Sequence, residues 1–474
     1  MNLKINKKKF ITTTCYIVYV LISLVCVLEL NTLGVNQWLA NISYVIISNF
    51  ILQIFFAKIL KIKLFSISVL FVVLLYLFHF GQLLVAGLFP LYQSYTFDYI
   101  SILDLNYLKE TTFICIFFID MFFLGIVISN KNNKYMILEI NSEYEKQQLS
   151  VIRKIGWIMF VFSFPIEVCI DFVKLLGALS GGYSAAIDST SSIPGVVGAL
   201  GNFMFTAIGI LLIGYKNNTT KAKNILYLVV AYCLIMMFTG NRGHQVAALI
   251  AFSYIANKTF FKVSAKKALF VVLIIFLGIT FLNIIFVSRS NGIYYIVSNF
   301  PELVENQLEK SMILETLASF GGTIYTPYLV VTDNIIKSRQ ISYGLTYLYS
   351  LASILPDVGI FTDINSLAIF QKALNGSALG GSVIGELFYN FKYFGSIFAV
   401  LIGILINKFS MNLEKYLFQK EYIKAIFYLP ILFNILWWVR GCFTDMVRPV
   451  VWQWVFIWIL LYFYDKKKKR LYYH

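Results

Sequence analysis

The sequence predicts an all-α, polytopic integral membrane protein, and three observations lead to this prediction. Of the 474 residues, 59% are hydrophobic and only 13% are charged, whereas soluble proteins carry about 25% charged residues. Apolar segments recur along the chain, close to the ~20 residues that a helix needs to cross a bilayer. Basic residues are concentrated in alternate connecting segments. We therefore expect residues 1–474 to form a single integral membrane domain.

Twelve apolar segments are candidate membrane spans. They begin near Phe10, Trp38, Leu64, Thr111, Ile155, Val196, Ile225, Gln245, Ala268, Ser382, Ile423 and Val450. The first is predicted to be a retained anchor, because residues 10–30 are too long for the apolar core of a signal peptide and no small-x-small cleavage site follows them.

The basic residues predict the orientation of these spans. With the N-terminus inside, 28 of the 39 Lys and Arg residues fall in cytoplasmic segments, as the positive-inside rule requires. Both termini are then cytoplasmic and the number of spans is even. The net charge of +16 is explained by contact with anionic membrane lipids, so a nucleic-acid partner is not expected.

Arginine is unevenly divided between the two sides. Only eleven basic residues fall outside the cytoplasmic segments, yet they include five of the seven arginines, where a random division would place about two. These five are Arg242, Arg289, Arg339, Arg440 and Arg448. Because the guanidinium group presents a planar fork that matches phosphate oxygens, the bias predicts anion binding on the outer side. The alternative is that these arginines pair with carboxylates there.

Arg242 lies in a polar hinge, TGNRGH at residues 239–244, between two apolar runs. An arginine between glycines at a membrane edge indicates a site for phosphate or another anion. His244 follows two residues later and is a candidate general base, since histidine exchanges protons near neutral pH.

Ionisable residues also occur inside predicted spans. Glu167, Asp171 and Lys174 share one helical face of the fifth span because they are spaced by four and three residues. They are expected to line a polar cavity or to form a self-contained cluster. His79, in the third span, is more typical of a histidine that is hydrogen-bonded to a neighbouring helix.

A large outer loop, residues 288–379, is predicted between the ninth and tenth spans. Loops of this length are usually functional. Residues 303–320, 343–355 and 366–374 have apolar faces at near-helical spacing, which predicts short helices at the membrane interface. Tyrosines in this loop suit stacking on sugars, or equally an aromatic belt at the headgroup level. They are Tyr325, Tyr328, Tyr343, Tyr347 and Tyr349.

Further candidates follow this loop. Glu386 lies where the chain re-enters the membrane and could be a general base or an arginine partner. Lys392 and Gly395 predict that this helix is interrupted or enters obliquely. Arg440 and Arg448, in the last outer loop, could flank an anion, or either of them could instead bind Asp445.

Several motifs are missing from the sequence. It has no DxD, no HExxH, no Cys/His cluster at metal spacing and no GxxxxGK[ST]. We therefore expect neither a metal nor another cofactor, and charge on a diphosphate leaving group would be stabilised by arginine. The six cysteines are interpreted as small apolar residues.

Four features together resemble the bacterial O-antigen polymerases, the Wzy-type oligosaccharide repeat-unit polymerases. They are TGNRGHQVAALIA at 239–251, the long outer loop, GGSVIGELFYNFKYFG at 380–395 and the arginine-bearing last outer loop. The resemblance implies a glycosyltransferase of the bacterial inner membrane with a GT-C-like fold. Such an enzyme transfers a growing glycan from undecaprenyl diphosphate to the non-reducing end of a lipid-linked repeat, in O-antigen or capsule synthesis. A flippase and a chain-length regulator of the same pathway would be its partners.

The resulting hypothesis assigns a role to each candidate. Arg242, placed by the resemblance, would bind the diphosphate with Arg440 and with Arg289 or Arg448. Glu386 or His244 would accept the proton of the acceptor hydroxyl, and the fifth-span cluster would line the cavity. Two alternatives are an O-antigen ligase and a flippase or other transporter of lipid-linked repeats, although no internal repeat typical of transporters is visible.

Overall fold

A computed structural model describes residues 7–92, 100–131, 142–189, 193, 195–237, 242–261, 292–309, 311–332, 343–355 and 381–472. Every regular element in these ranges is a helix. The first nine helices are α1 Lys7–Leu30, α2 Val35–Ile59, α3 Ile67–Leu88, α4 Leu105–Ser129, α5 Ser142–Asp188, α6 Gly195–Gly201, α7 Phe203–Gly214, α8 Thr219–Met237 and α9 Arg242–Thr259. The next five are α10 Gly292–Ser298, α11 Phe300–Glu309, α12 Met312–Phe320, α13 Tyr325–Val331 and α14 Leu345–Ala352. The last five are α15 Val383–Phe391, α16 Gly395–Phe418, α17 Tyr422–Ile426, α18 Leu429–Trp438 and α19 Phe443–Tyr472.

Eight segments of the described chain are helical, long and apolar enough to cross a membrane. They correspond to eight of the twelve predicted spans. Of the other four, the one predicted near Ile155 lies within α5, and the one near Gln245 lies within the 18-residue α9. The stretch Tyr422–Trp438 is apolar but shorter, and the span predicted near Ala268 lies outside the described residues.

The chain forms two compact units, which are described separately. The first unit comprises Met1–Lys134, Leu317–Asn412 and Trp438–Asp445. Its centre is formed by α3 and α4, which bury 72% of their most apolar segment, compared with 28% for α1. Side chains cap both central helices, because the Ser66 hydroxyl accepts from the Val69 nitrogen and the Asp104 carboxylate accepts from the Asn106 nitrogen.

The second unit comprises Tyr135–Thr316, Leu413–Trp437 and Met446–His474. At its centre α7 packs against the long helix α5. All twelve residues of α7 are buried, as expected for a helix that is apolar on every side. α5 contains Pro165, a residue that removes one backbone hydrogen bond from the helix interior.

The helix that is predicted to re-enter the membrane is interrupted, which confirms the prediction from Lys392 and Gly395. α15 ends at Phe391, residues 392–394 form a single 3-10 turn, and α16 starts at Gly395. Lys392 has φ of 50° and ψ of −138°, a backbone conformation that residues other than glycine rarely adopt. Glu386 therefore lies on the short helix that precedes the interruption.

The described residues of the predicted outer loop also contain helices. α11 and α12 cover most of residues 303–320, and α14 lies within residues 343–355. The third predicted segment, residues 366–374, lies outside the described residues. That these helices lie at the membrane interface stays a prediction.

Candidate functional site

In the first unit, a buried polar site surrounds the start of α15. Ser382 caps this helix by accepting from the Gly385 nitrogen at 3.1 Å. The same hydroxyl is 2.8 Å from Nε2 of His79 on α3, and Nδ1 of His79 is 2.9 Å from the carbonyl oxygen of Leu75. Because a carbonyl can only accept, Nδ1 carries the proton and Nε2 accepts from Ser382. His79 is thus hydrogen-bonded to a neighbouring element, as the sequence predicted.

Glu386 lies one turn further along α15 and is almost completely buried, with 2% of its surface exposed. Its Oε1 accepts from the Thr346 hydroxyl at 3.0 Å, and its Oε2 accepts from the backbone nitrogen of Phe443 at 2.8 Å. Phe443 is the first residue of α19, where the helix dipole favours a negative charge. The carboxylate therefore joins three segments that are distant in the sequence, and it is held in one orientation.

A second layer of hydrogen bonds fixes the donors of Glu386. Asn390 donates through Nδ2 to the Thr346 hydroxyl at 2.7 Å and to the Glu386 carbonyl at 2.8 Å. Ser350 donates to the Thr346 carbonyl at 2.7 Å, and its hydroxyl is 2.6 Å from that of Thr444. α14, α15 and the start of α19 are consequently connected by polar side chains as well as by packing.

Two buried donors near Glu386 have no hydrogen-bond partner among the described residues. They are the Tyr347 hydroxyl and Nε1 of Trp438, and both rings contact the ring of Phe443, at 5.2 Å and 5.7 Å between centroids. Burial raises the pKa of Tyr347 well above its ordinary value, and the nearby Glu386 raises it further, so its hydroxyl remains protonated. Unsatisfied buried donors are costly, so these two groups are candidates for contacts with a ligand.

Arg440 lies in the tight turn between α18 and α19, at the edge of this site. The turn is in close contact with the residue before Ser382, because a Cβ on Gly381 would lie 2.6 Å from the Gly441 carbonyl carbon and 2.8 Å from the Cys442 sulfur. The Arg440 guanidinium is half-buried and lies 5.9 Å from the centre of the Phe78 ring. The close backbone approach, which only glycine permits, is what brings the arginine turn to the start of α15.

Asp445 has a local structural role. Its Oδ2 accepts from the backbone nitrogen of Cys442 at 2.9 Å, which is the reciprocal bond of a capping box at the first turn of α19. Together, Asp445 and Glu386 accept from the N–H groups of Cys442 and Phe443 at that helix end.

In the second unit, Asp171 is the centre of a polar cluster on α5. It accepts from Nζ of Lys174 at 3.0 Å and from the hydroxyl of Tyr232 on α8. The carboxylate of Glu167 lies against Gly201, where a larger residue would collide with it. The three ionisable residues predicted to share a helical face are therefore together, and Tyr232 joins them. No motif marks Tyr232, so only its position in space identifies it.

His244, on the first turn of α9, is part of the same unit. Its ring lies 5.5 Å from that of Phe205 and 5.7 Å from that of Trp437, and it is within electrostatic range of Asp171 and Lys174. The structure thus brings His244 close to the fifth-span cluster. Arg242 is the first residue of α9, but its side chain lies outside the described residues, as does the whole of Arg289.

Arg448 belongs to the second unit and lies on α19. It is half-buried, and its guanidinium carbon is 5.5 Å from the centre of the Trp452 ring. Its Nε is shielded from solvent and has no hydrogen-bond partner in the described part of the chain. A guanidinium with an unsatisfied nitrogen can donate a hydrogen bond to an anionic ligand.

These helices and their buried polar groups define a multi-pass membrane protein that holds ionisable residues in its interior. The family model for O-antigen polysaccharide polymerase Wzy matches residues 9–470. The chain belongs to this family, as the motifs in the sequence indicated, and its general role is polymerisation of O-antigen repeats. No curated protein and no solved structure shows a significant match to the chain.

Proposed function

We propose that this protein transfers a growing glycan from undecaprenyl diphosphate to the non-reducing end of a new lipid-linked repeat. The acceptor hydroxyl oxygen forms a bond to the anomeric carbon while the bond from that carbon to the diphosphate oxygen breaks. The diphosphate leaves with the bonding electron pair, and a protein base takes the hydroxyl proton. The reaction needs charge stabilisation at the leaving group and a positioned acceptor.

The observation that carries this proposal is the site around Glu386, where a fixed carboxylate, unsatisfied donors and Arg440 belong to one unit. We assign the diphosphate to Arg440, whose guanidinium matches phosphate oxygens in pairs. Sugar hydroxyls would accept from Tyr347 and Trp438, and Glu386 would accept the acceptor proton. The lack of nucleotide and metal motifs agrees with a substrate that carries its own diphosphate leaving group.

For the second unit, we propose further residues that bind the diphosphate, accept the proton or line the site. Arg448 offers a shielded, unsatisfied guanidinium nitrogen, and Arg242 and Arg289 are proposed anion-binding residues from their sequence positions alone. His244 is the second candidate base, beside Glu167, Asp171 and Lys174 as polar lining. The proposal also includes twelve membrane spans in a GT-C-like arrangement and a site on the outer face. The protein would lie in the inner membrane, beside a flippase and a chain-length regulator.

The test of this assignment compares Arg440→Ala with Arg440→Lys in a strain that lacks the chromosomal gene. Glycan ladders on gels measure polymer length, and immunoblots measure protein level. We expect the alanine variant to lose the ladder and to leave single-repeat glycan, since the diphosphate loses a charge-assisted contact worth about 2–4 kcal/mol in the transition state. The lysine variant should recover little, because an ammonium cannot bind two oxygens in the same geometry.

Arg153→Lys is the matched control. Like Arg440, Arg153 is half-buried. It donates through Nη1 to the Gly214 carbonyl at 3.4 Å and belongs to no proposed site. It should give a normal ladder. A full ladder from Arg440→Ala at normal protein level would exclude Arg440 from the reaction. Long chains that fail to attach to lipid A core would indicate a ligase instead.

A further inference from the structure

A second buried polar cluster lies in the first unit, among α1, α2 and α4, and the proposed reaction uses none of its residues. Its central members are Tyr16 on α1, Asn49 and Gln53 on α2, and Asp120 on α4. Asp120, Gln53 and Tyr16 are 0% exposed and Asn49 is 1% exposed. All four lie in segments long and apolar enough to cross a membrane, where polar groups depend on one another for hydrogen bonds.

One carboxylate oxygen of Asp120 is hydrogen-bonded within the cluster. This oxygen, Oδ1, accepts from Nε2 of Gln53 at 2.8 Å and from the Tyr16 hydroxyl at 3.4 Å. Oδ1 of Asn49 accepts from Ser23 at 3.0 Å and from the Tyr19 hydroxyl. The bond to Oδ1 of Asp120 sets the Gln53 amide with its nitrogen toward the carboxylate.

The other side of the cluster is unsatisfied. Oδ2 of Asp120, Oε1 of Gln53 and Nδ2 of Asn49 are buried and have no hydrogen-bond partner among the described residues. Gln53 uses its amide nitrogen for Oδ1 of Asp120, which leaves one oxygen of each side chain without a donor. Two acceptors cannot satisfy each other, whereas a positively charged group shared by the two side chains would satisfy both.

Charge balance leads to the same requirement. No lysine or arginine in the described part of the chain forms an ion pair with Asp120. Among the described residues, the titratable groups near it are Tyr16 and Tyr19 on α1 and Tyr76 on α3, and a tyrosine supplies no positive charge. An uncompensated carboxylate in a membrane span is strongly unfavourable.

We propose that Asp120 and Gln53 bind a monovalent cation, either a proton or a sodium ion. A proton on Oδ2 of Asp120 would be donated to Oε1 of Gln53 and would complete a two-bond acid–amide pair. A sodium ion would take the same two oxygens as ligands, and a water that accepts from Asn49 could share the site. In either case the occupant links α2 to α4 and neutralises the carboxylate.

The first experiment measures the Tm of the full-length protein in detergent as sodium chloride replaces choline chloride. If sodium binds, Tm rises by about 2–4 °C as the site fills, because only the folded chain has the site. Asp120→Asn removes this dependence and keeps the fold, since its amide donates to Gln53 as a protonated acid would. Gln53→Leu retains the charge but loses one ligand, so more sodium is needed for the same shift.

The second experiment identifies a proton. Dicyclohexylcarbodiimide reacts with protonated carboxyl groups in membrane spans, and peptide mass spectrometry locates the adduct. A proton site gives labelling at Asp120 that declines from acidic to alkaline buffer and is unaffected by sodium. A sodium site gives labelling that sodium suppresses.

Asp104→Asn is the matched control in both experiments. Asp104 caps the same helix from its exposed end, where asparagine caps equally well, so the sodium dependence and the labelling of Asp120 should match the wild type. The proposal is overturned if Asp120 is unlabelled in every buffer and the wild-type Tm is independent of sodium. Neither the Tm nor the labelling depends on glycan transfer, so a failure of this proposal can be distinguished from a failure of the proposed function.

Discussion

The Glu386 carboxylate is bound on both oxygens, by a hydroxyl from α14 and by the first backbone nitrogen of α19. Such a group is at once a structural anchor and a preorganised acceptor, because each carboxylate oxygen has a second lone pair. Glutamine at this position can accept one of the two bonds but cannot take a proton. The two roles therefore respond differently to the same substitution.

We expect Glu386→Gln to abolish the glycan ladder while the protein level is retained, and to lower the free energy of unfolding by about 1–3 kcal/mol for the bond it cannot make. Glu386→Ala should lose the ladder and also a larger part of its thermal stability. Glu110→Gln, at a carboxylate that accepts from Tyr393 at 3.2 Å near the surface, is the control and should retain polymerisation. A Glu386→Gln variant with full ladders would assign Glu386 to anchoring alone and leave His244 as the candidate base.

Sequence reasoning found many of these residues but few of their contacts. Glu386, Arg440 and His79 were identified from their charge in an apolar setting. Their partners were not, because Ser382 is 303 residues from His79 and Phe443 is 57 residues from Glu386. Tyr347 and Trp438 resemble other aromatic residues at a membrane edge, and only burial of an unsatisfied donor distinguishes them.

At the scale of helices, one ionic network connects three elements of the second unit. Glu145, on the first turn of α5, pairs with Lys216 at 2.8 Å and with Lys420 at 2.7 Å. The hydroxyl of Tyr422, at the start of α17, also donates to it at 3.3 Å. Burial of the Glu145 carboxyl raises its pKa, but hydrogen bonds from the two lysines outweigh this effect and leave the pKa below its ordinary value.

The network predicts a specific pH dependence of stability. Because the folded-state pKa of Glu145 is lowered, its contribution is complete above the ordinary glutamate value of about 4.3 and is lost as the pH falls through the folded-state value. At neutral pH, Glu145→Gln should lower the free energy of unfolding by roughly 1–3 kcal/mol and so lower Tm. The loss should be toward the smaller end of this range, because Lys420 is 45% exposed and solvent screens its charge. The difference between variant and wild type should shrink in acid.

Differential scanning fluorimetry across pH measures this effect. Glu421→Gln is the control, because its partner Lys424 is 62% exposed and surface pairs contribute little. A wild-type and Glu145→Gln difference that is constant from neutral to acidic pH would contradict the linkage. The interruption at Lys392 is another feature at this scale, and the sequence predicted it from Lys392 and Gly395.

At the scale of the molecule, the alternation of basic segments predicts that both chain ends lie on the cytoplasmic side. A green fluorescent protein fused after His474 folds only in the cytoplasm, whereas alkaline phosphatase is active only outside. We expect the fluorescent fusion to be bright and the phosphatase fusion inactive in cells. Fusions after Gly441, in the last predicted outer loop, should give the reverse pattern. Phosphatase activity at the C-terminus would overturn the predicted orientation.

The sequence by itself determined the class of this protein, because apolar runs of membrane length can only be helices when every backbone group must bond internally. It also determined the family, through short motifs that the match over residues 9–470 bears out. Only the tertiary structure decided which polar groups meet. Buried carboxylates such as Glu386, Asp171 and Asp120 are stabilised by donors from other helices, and the pairing depends on packing over long separations in the chain. Tertiary packing likewise decided which buried donors and acceptors of the described residues remain unsatisfied, and on some of these groups our two proposals rest.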